Sequence, residues 1–307
     1  MRILLIGGGW SNEREVSLKG IDAIHSALEE LGHEVEFFDP ASQFSALPER
    51  AAASDFAFIN LHGAPGEDGV MQGMLEQNGC PYQGSDPKGS LLALDKAASK
   101  TIYAARGIPT PDWEFVPMPP KPDWRCRLDP PVFLKPHAGG SSLDVARATG
   151  QEEIREGVDR LLAQGDYVLI EESISGEEIT CPVLGDRALP PILIRPADAS
   201  GFFDYYSKYT PQAAEEICPA PVSEELTREI TELALRCHRN LGLSDYSRTD
   251  FLVRDGRPYA LETNTLPGMT ANSLFPQSAA VVGYSFTDLI AELIRLGLSR
   301  HRAGETL

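Results

Sequence analysis

The chain has 307 residues, 42% hydrophobic and 23% charged, and a chain of this size buries about 75% of the surface its unfolded form exposes, so disorder is excluded as its main state. Asp and Glu number 45 against 27 Lys and Arg, a net charge of −18, which argues against a general nucleic-acid or anionic-membrane surface and leaves anions to local Lys and Arg. The five cysteines (Cys80, Cys126, Cys181, Cys218, Cys237) form no CxxC pair, and no segment approaches the ~18 apolar residues of a membrane span. The four apolar residues after Arg2 are too few for a signal-peptide core, so the expectation is a soluble cytoplasmic protein of two or three domains.

In chain order, Ile3-Leu4-Leu5-Ile6 is a continuous apolar run, as expected of a strand buried on both faces of a parallel sheet. It ends in Gly7-Gly8-Gly9, after which Val16, Ile21, Ile24, Leu28 and Leu31 recur at helical spacing. Asn12 and Glu15 suit a capping box and Gly32 a stop. Residues 35–38 and 56–61 read as the next strands, making a βαβ-type N-terminal domain. Its ligand edge lies at the strand ends, in residues 7–12 and 62–69. The Pro-rich stretch 109–131 cannot be regular helix and reads as a connection. Strands over 132–135 and 167–171 with a helix over 151–162 form a small α+β unit. A third region follows from Gly176, with a helix over 224–241, a hairpin across Asp255-Gly256 and a closing helix over 286–298; Pro182 interrupts one of its strands.

The three glycines invite a dinucleotide-binding reading, but G-x-G-x-x-G needs glycine where Asn12 stands, and no Walker A loop occurs. Taken alone they are better read as a tight strand-to-helix turn than as a phosphate cradle. Lys135 closes an apolar strand before Pro136-His137-Ala138-Gly139-Gly140-Ser141-Ser142, a segment able to cover polyphosphate as kinase glycine-rich loops do, or to be a plain solvent turn. The hairpin says more. With a three-residue loop, Arg254-Asp255-Gly256, Val253 faces Arg257 and Arg248 faces Glu262. Alternation then places Asp250, Glu262 and Asn264 on one face, a hard-oxygen set suited to Mg²⁺ with Arg248 beside it. A two-residue loop would put the two acids on opposite faces, and for a pair of acids on a hairpin taken by itself merely solvated charges are the favoured reading.

Larger stretches change the weighting: Gly8-Gly9-Trp10-Ser11-Asn12-Glu13-Arg14-Glu15-Val16-Ser17; His62-Gly63 through Gly66-Glu67-Asp68-Gly69 to Gln72-Gly73; Asp95-Lys96; Gly140-Ser141-Ser142; Lys208-Tyr209; Arg248-Thr249-Asp250; and Glu262-Thr263-Asn264-Thr265-Leu266-Pro267-Gly268-Met269-Thr270. In this order they resemble the D-alanine:D-alanine ligase family of ATP-grasp enzymes over nearly the whole chain. The resemblance implies an α/β and α+β protein of three-domain ATP-grasp architecture with a βαβ N-terminal domain: 1–88 for substrate, 89–175 central, 176–307 C-terminal and catalytic. ATP would lie between the last two with two Mg²⁺ ions, Mn²⁺ being a substitute. The implied reaction joins two D-alanines through an acyl phosphate for peptidoglycan precursor synthesis, in a cytoplasmic homodimer with no nucleic-acid or membrane partner. A ligase of the same chemistry with another amino-acid specificity is the near alternative; a noncatalytic nucleotide-binding module and an NAD-dependent oxidoreductase are more distant ones.

Carried over by motif, Lys96, Lys135, Ser142 and Lys208 resemble phosphate or nucleotide contacts, and Glu171, Glu172, Ile174 and Glu178 the adenine and ribose side of the pocket. Asp250, Glu262 and Asn264 resemble the Mg²⁺ ligands. Glu13 would meet the ammonium of the first D-alanine, with Val16 and His62 nearby; apart from the family, Glu13 is an acid suited to a helix N-terminus. Arg248 with Gly268 resembles the pair that stabilises the tetrahedral oxyanion, Ser273 and Leu274 the second D-alanine's contacts, and Ser141 with Tyr209 the contacts that close the site. Asp144, where the family usually has glycine, the bulky Trp10, and the acidic Glu172 depart from the pattern.

Overall fold

The computed structural model describes residues 1–139, 144–196, 214–270 and 272–304. Strand β1 (Arg2–Gly7) has Ile3, Leu4, Leu5 and Ile6 all buried, each contributing roughly 1.5–3 kcal/mol of burial. It pairs in parallel with β2 (Glu34–Phe38) and β3 (Phe56–Asn60), giving the order β2-β1-β3. Helix α1 (Arg14–Glu30) is the crossover and buries Ile21, Ile24 and Leu28. The expected capping box is absent: the N-cap is Glu13 and no side chain caps the helix. Gly32 does end it, at φ +75°, with His33 N–H donating to the Leu28 carbonyl.

Short helices α2 (Pro40–Gln43), α3 (Leu47–Ala53) and α4 (Val70–Gln77) complete this layer. Helices α5 (Pro87–Leu94) and α6 (Lys96–Ala105) start where Asp86 accepts from Gly89 N–H at 2.6 Å and Asp95 accepts from Ala97 and Ala98 N–H at 3.0 Å.

The middle sheet is antiparallel, in the order β4-β7-β5-β6: β4 (Trp113–Val116), β5 (Val132–Pro136), β6 (Ala146–Ala148) and β7 (Val168–Glu172). Helix α7 (Gln151–Ala163) packs Ile154, Val158 and Leu161 against Val132, Leu134 and Ile170. The Pro-rich stretch is therefore more than a connection: Trp113–Val116 pairs with Val168–Glu171 as an edge strand, where neighbouring prolines are tolerated.

The third sheet runs β11-β10-β8-β12-β13 with β9 beside β8: β8 (Glu177–Leu184), β9 (Arg187–Ala188), β10 (Ile192–Pro196), β11 (Ala214–Ile217), β12 (Tyr246–Arg254) and β13 (Arg257–Asn264). Pro182 does not interrupt β8. Its carbonyl accepts from Leu189 N–H at 2.8 Å, so its nitrogen faces Leu189 on the β9 side, and the ladder to β12 on the other side runs through it unbroken. Helix α8 (Glu224–Asn240), capped by Ser223, buries Ile230, Leu233, Ala234 and Cys237 on this sheet.

Helix α9 (Leu274–Val281) and the last helix, α10 (Phe286–Gly304), return to the beginning of the chain: Leu289, Ile290, Leu293 and Ile294 share one core with β1 and β3. The first sheet is thus completed by the end of the sequence. No helix among the described residues is long and apolar enough to cross a membrane.

Candidate active site

The β12–β13 hairpin settles the question of parity by a route the alternation count misses. Its loop is two residues, Asp255-Gly256, both at positive φ (+52° and +73°) as a type I′ turn requires, so Arg254 pairs with Arg257 and Phe251 with Ala260. Such a turn alone would separate the acids. The register shifts between Phe251 and Asp250, however, and Leu261 is the extra residue of a bulge. Beyond it Asp250 pairs with Glu262, and Arg248 with Asn264 rather than with Glu262. The shared face expected of Asp250, Glu262 and Asn264 is present, built by a bulge in place of a three-residue loop.

Asp250 is 4% exposed and accepts from Arg248 Nε (2.9 Å) and Nη2 (2.8 Å), Thr180 Oγ1 (2.5 Å) and Asn264 Nδ2 (3.1 Å). Glu262 Oε2 lies 3.1 Å from Lys96 Nζ. The two carboxylates thus already hold cationic side chains. Two carboxylates and an amide suit a hard divalent cation in kind, with the remaining oxygens coming from phosphate and water. Among the described residues no group of three or more His, Cys, Asp or Glu gathers as a metal site, so a divalent ion there would depend on Asn264 and on such outside oxygens.

This face forms one wall of a cleft of about 960 Å³ that also meets the middle sheet and the Trp10–Glu13 loop. Lys96, Lys135, Glu171, Glu172, Ile174 and Glu178 all line it. Lys96 begins α6, and its Nζ also donates to the Gly139 carbonyl at 2.5 Å, just before the serine-rich segment. Lys135 Nζ donates to Glu171 Oε1 at 2.5 Å. Glu171 Oε2 lies 2.6 Å from the ammonium of Lys100, a residue to which the sequence reading gives no role. Burial alone would push the Glu171 carboxyl up, but the Lys100 and Lys135 ammoniums outweigh it and hold it below the usual range. Glu172 pairs with Arg254 at 2.9 Å. Gly176 follows, so close to the Val253 carbonyl that no side chain fits there.

On the side of the first sheet, Glu13 is 8% exposed and lies at the start of α1, next to Gly63. The Gly8-Gly9 turn uses positive φ at both positions and is braced by a pair lying behind it: Arg14 donates to the Gly9 carbonyl and to Asp39, which accepts from Gly9 N–H at 3.0 Å. Trp10 is half exposed, edge-on to Phe44, and still lines the cleft. His62 Nδ1 lies 3.1 Å from the Leu266 carbonyl; burial lowers its pKa, and the neutral ring donates there. Glu67 accepts from Gly63 N–H at 2.8 Å and Leu266 N–H at 3.2 Å. Burial, then the charge of Glu13, push its carboxyl up to about 7. Glu67 and His62 therefore tie the His-Gly loop to the Leu266-Pro267-Gly268 loop.

Ser273 is the N-cap residue of α9, with its Oγ 2.8 Å from Thr270 Oγ1 and accepting from Thr270 N–H at 3.1 Å. A Cβ on Gly268 would stand 3.0 Å from that Oγ, so the two are in contact, and Leu274 follows as the first residue of α9. Val16 is half-buried in the first turn of α1. Val16, His62, Arg248, Asn264, Gly268, Ser273 and Leu274 do not line the cleft itself. Ser141, Ser142, Lys208 and Tyr209 lie outside the described residues. Asp144, the departure beside the glycine pair, has φ +57°, lines the cleft at its exposed rim and lies 3.7 Å from Arg160.

Lys100, Glu67 and Thr180 are the residues sequence reasoning missed. Glu67 stands inside a quoted motif. Lys100 carries a weaker signal: it is four residues after Lys96 and hence on the same helical face.

Comparison with known proteins adds an independent line. Residues 102–295 match the family described as "D-ala D-ala ligase C-terminus". The chain is 56% identical over 302 residues to the D-alanine–D-alanine ligase of Oleidesulfovibrio alaskensis, covering 98% of each chain. It is 54% identical over 300 residues to that of Nitratidesulfovibrio vulgaris, covering 97% of this chain and 99% of that one. Its fold superposes on the crystal structure of D-alanine–D-alanine ligase from Bacillus anthracis complexed with ATP, with a TM-score of 0.87, 34% identity and 99% coverage of both chains.

Proposed function

The chain belongs to the D-alanine–D-alanine ligase family, and on that premise we infer that it joins two D-alanines with ATP to give D-alanyl-D-alanine, ADP and phosphate for peptidoglycan precursor synthesis. The observation that most supports this reading is the meeting of Lys96 and Lys135 with Asp250 and Glu262 in one cleft bordered by Glu13. Cations for a polyphosphate, acids for a divalent ion and an acid for an ammonium are the groups the reaction needs.

A carboxylate is a poor acyl donor until one oxygen becomes a leaving group. In the first step the carboxylate oxygen of one D-alanine attacks the γ-phosphorus, the bond to the β,γ-bridging oxygen breaks and ADP leaves. In the second, the free amine of another D-alanine attacks the acyl phosphate carbonyl, phosphate departs and the amine proton is lost. Lys135 and Lys96 would hold the phosphates in line, since phosphoryl transfer is mostly positioning and charge stabilisation. Glu171, Ile174 and Glu178 would receive the nucleoside, and Glu172, held by Arg254, would border it. Glu13 would take the first ammonium, Arg248 and the Gly268 N–H the tetrahedral oxyanion, and Ser273 with Leu274 the second substrate. Asp250, Glu262 and Asn264 would hold Mg²⁺, which when bound offsets charge on the transferring phosphoryl group. Ser141, Ser142, Lys208 and Tyr209 keep the roles the motifs imply. We further propose domain boundaries near residues 88 and 175, a cytoplasmic location and a homodimer.

The test is turnover by the purified chain with ATP, Mg²⁺ and a panel of D- and L-amino acids plus D-lactate, with ADP release followed and products identified by mass. D-alanyl-D-alanine as the main product is expected. A different dipeptide would move the chain to another specificity within the chemistry, and ATP-independent behaviour would overturn the reading.

A further inference from the structure

Glu171 is held by two ammoniums of unequal character. Lys135 lines the cleft and is 16% exposed, whereas Lys100 is 0% exposed and does not line it. Lys100 Nζ also donates to Thr110 Oγ1 at 2.7 Å, and that hydroxyl donates to the Ala260 carbonyl at 2.7 Å. Ala260 N–H donates to the Pro109 carbonyl, so the segment carrying Thr110 runs beside β13 next to the bulge. Three side chains on one face of α6 thus meet the site: Lys96 at Glu262, Lys100 at Glu171 and Tyr103 at Thr263 Oγ1 (2.7 Å). Lys100 is a buried link between the middle sheet, through Glu171, and the third sheet, through Thr110.

We propose that Lys100 is a positioning residue for nucleotide binding, the buried counter-ion that keeps Glu171 paired and aimed when Lys135 leaves it for the nucleotide phosphates. This rests on the reading that Lys135 meets phosphate and Glu171 the nucleoside. A carboxylate 2% exposed with Lys135 as sole partner would be stripped of its counter-ion by the very ligand Lys135 binds, and removing one member of a buried pair is strongly unfavourable. With Lys100 fixed behind it, Glu171 keeps a partner throughout, and Lys135 is free to exchange one anion for another. The Thr110 hydroxyl fixes the Lys100 ammonium, and through it the direction of the Glu171 carboxylate, relative to the strand bearing Glu262.

The experiment measures kcat, the KM for ATP and for D-alanine, and the Kd of a non-hydrolysable ATP analogue with Mg²⁺. It compares the wild type with Lys100→Met, Glu171→Gln, the double variant and Lys135→Met. Lys100→Met is expected to raise the ATP KM and analogue Kd about tenfold or more while changing kcat by less than about threefold, a loss of ground-state binding. The double variant should bind no worse than Glu171→Gln alone, because neutralising both partners removes the uncompensated charge. A folded Lys100→Met enzyme with an unchanged ATP KM, while Glu171→Gln raises it, overturns the proposal and leaves the site reading intact. If Glu171→Gln and Lys135→Met both leave ATP binding unchanged, the site reading itself has failed. Should Lys100→Met not fold, Thr110→Val keeps the lysine and removes its anchor; about a two- to fivefold rise in ATP KM with unchanged D-alanine KM is expected, and unchanged constants overturn the proposal.

Discussion

Asp250→Asn conserves shape and changes charge, so its cost can be worked from the contacts. The asparagine oxygen can still accept from Arg248 Nε and Thr180 Oγ1, but its amide nitrogen then meets Arg248 Nη2 and Asn264 Nδ2, donor against donor. Asn264 can turn its amide to offer oxygen; the guanidinium fork cannot. Arg248, whose side chain is 17% exposed, is left without the carboxylate that holds it in two bonds, and breaking such a pair costs about 3–5 kcal/mol. At about 2–4 °C per kcal/mol for a domain of this class, Tm should fall by roughly 6–20 °C. The charge lost is also one the proposed Mg²⁺ site needs, so kcat should drop at least about 100-fold. Thermal melting with and without Mg-ATP, together with phosphate release, measures both. A Tm within about 2 °C of the wild type would refute the claim that Arg248 depends on this carboxylate, and near-normal turnover would remove Asp250 from the metal site.

Other outcomes follow from the same geometry. Gly176→Ala drives a methyl into the Val253 carbonyl and should cost more than about 2 kcal/mol by overpacking while raising the ATP KM; unchanged urea stability would contradict the contact. His238 is 5% exposed and its pKa is pushed down to about 4, chiefly by burial, so it is neutral when folded and takes up a proton on unfolding below 6.5. Its stabilisation is present above pH 6.5 and is lost as pH falls toward 4, about 2 kcal/mol of it between pH 7 and 5. Denaturation of His238→Gln at the two pH values should show a correspondingly flatter dependence, and equal slopes would be the contrary result. Asp144→Gly relieves a left-handed backbone and gives up a surface pair with Arg160. A stability change within about 1 kcal/mol is expected, along with ATP affinity within about twofold of the wild type; a larger rise in affinity would show that the carboxylate opposes phosphate. Chelating divalent ions should abolish dipeptide formation, and Mg²⁺ or Mn²⁺ should restore it; activity in EDTA would exclude the assigned role of Asp250, Glu262 and Asn264.

What was legible in the sequence was periodic or local. The run Ile3–Ile6, the stop at Gly32 and the helix over 224–241 are set by neighbouring residues, and the structure has them within a residue or two. Of the motif residues, Glu13, Lys96, Asp250 and Glu262 line one cleft, because a motif is a local run of sequence that each strand or helix end delivers whole. What was not legible depends on distant parts of the chain. Leu261 looks like any strand residue, and nothing local marks it as an insertion. Lys100 looks like a solvated helical lysine until Glu171, from another sheet, is placed over it. The apolar stripe of α10 announces a buried face without saying that its partner is the first sheet, and Trp113–Val116 is a strand because β7 offers it an edge.

The bulge at Leu261 also divides the hairpin into an inner and an outer part. On the inner side, Thr249 and Thr263 are bonded at 2.9 Å and Tyr103 bolts Thr263 to α6, so the handedness of the acid pair is anchored from below. The outer side ends in a tip at Asp255-Gly256 that is open to solvent, with nothing within 4 Å of where a Cβ on Gly256 would stand. The length of the turn beyond Arg254 and Arg257 is therefore uncoupled from the geometry of the acid pair, since both strands are clamped below the tip. The tip can be lengthened by whole cross-strand pairs, to carry a label or a reporter peptide, without turning Glu262 away from Asp250.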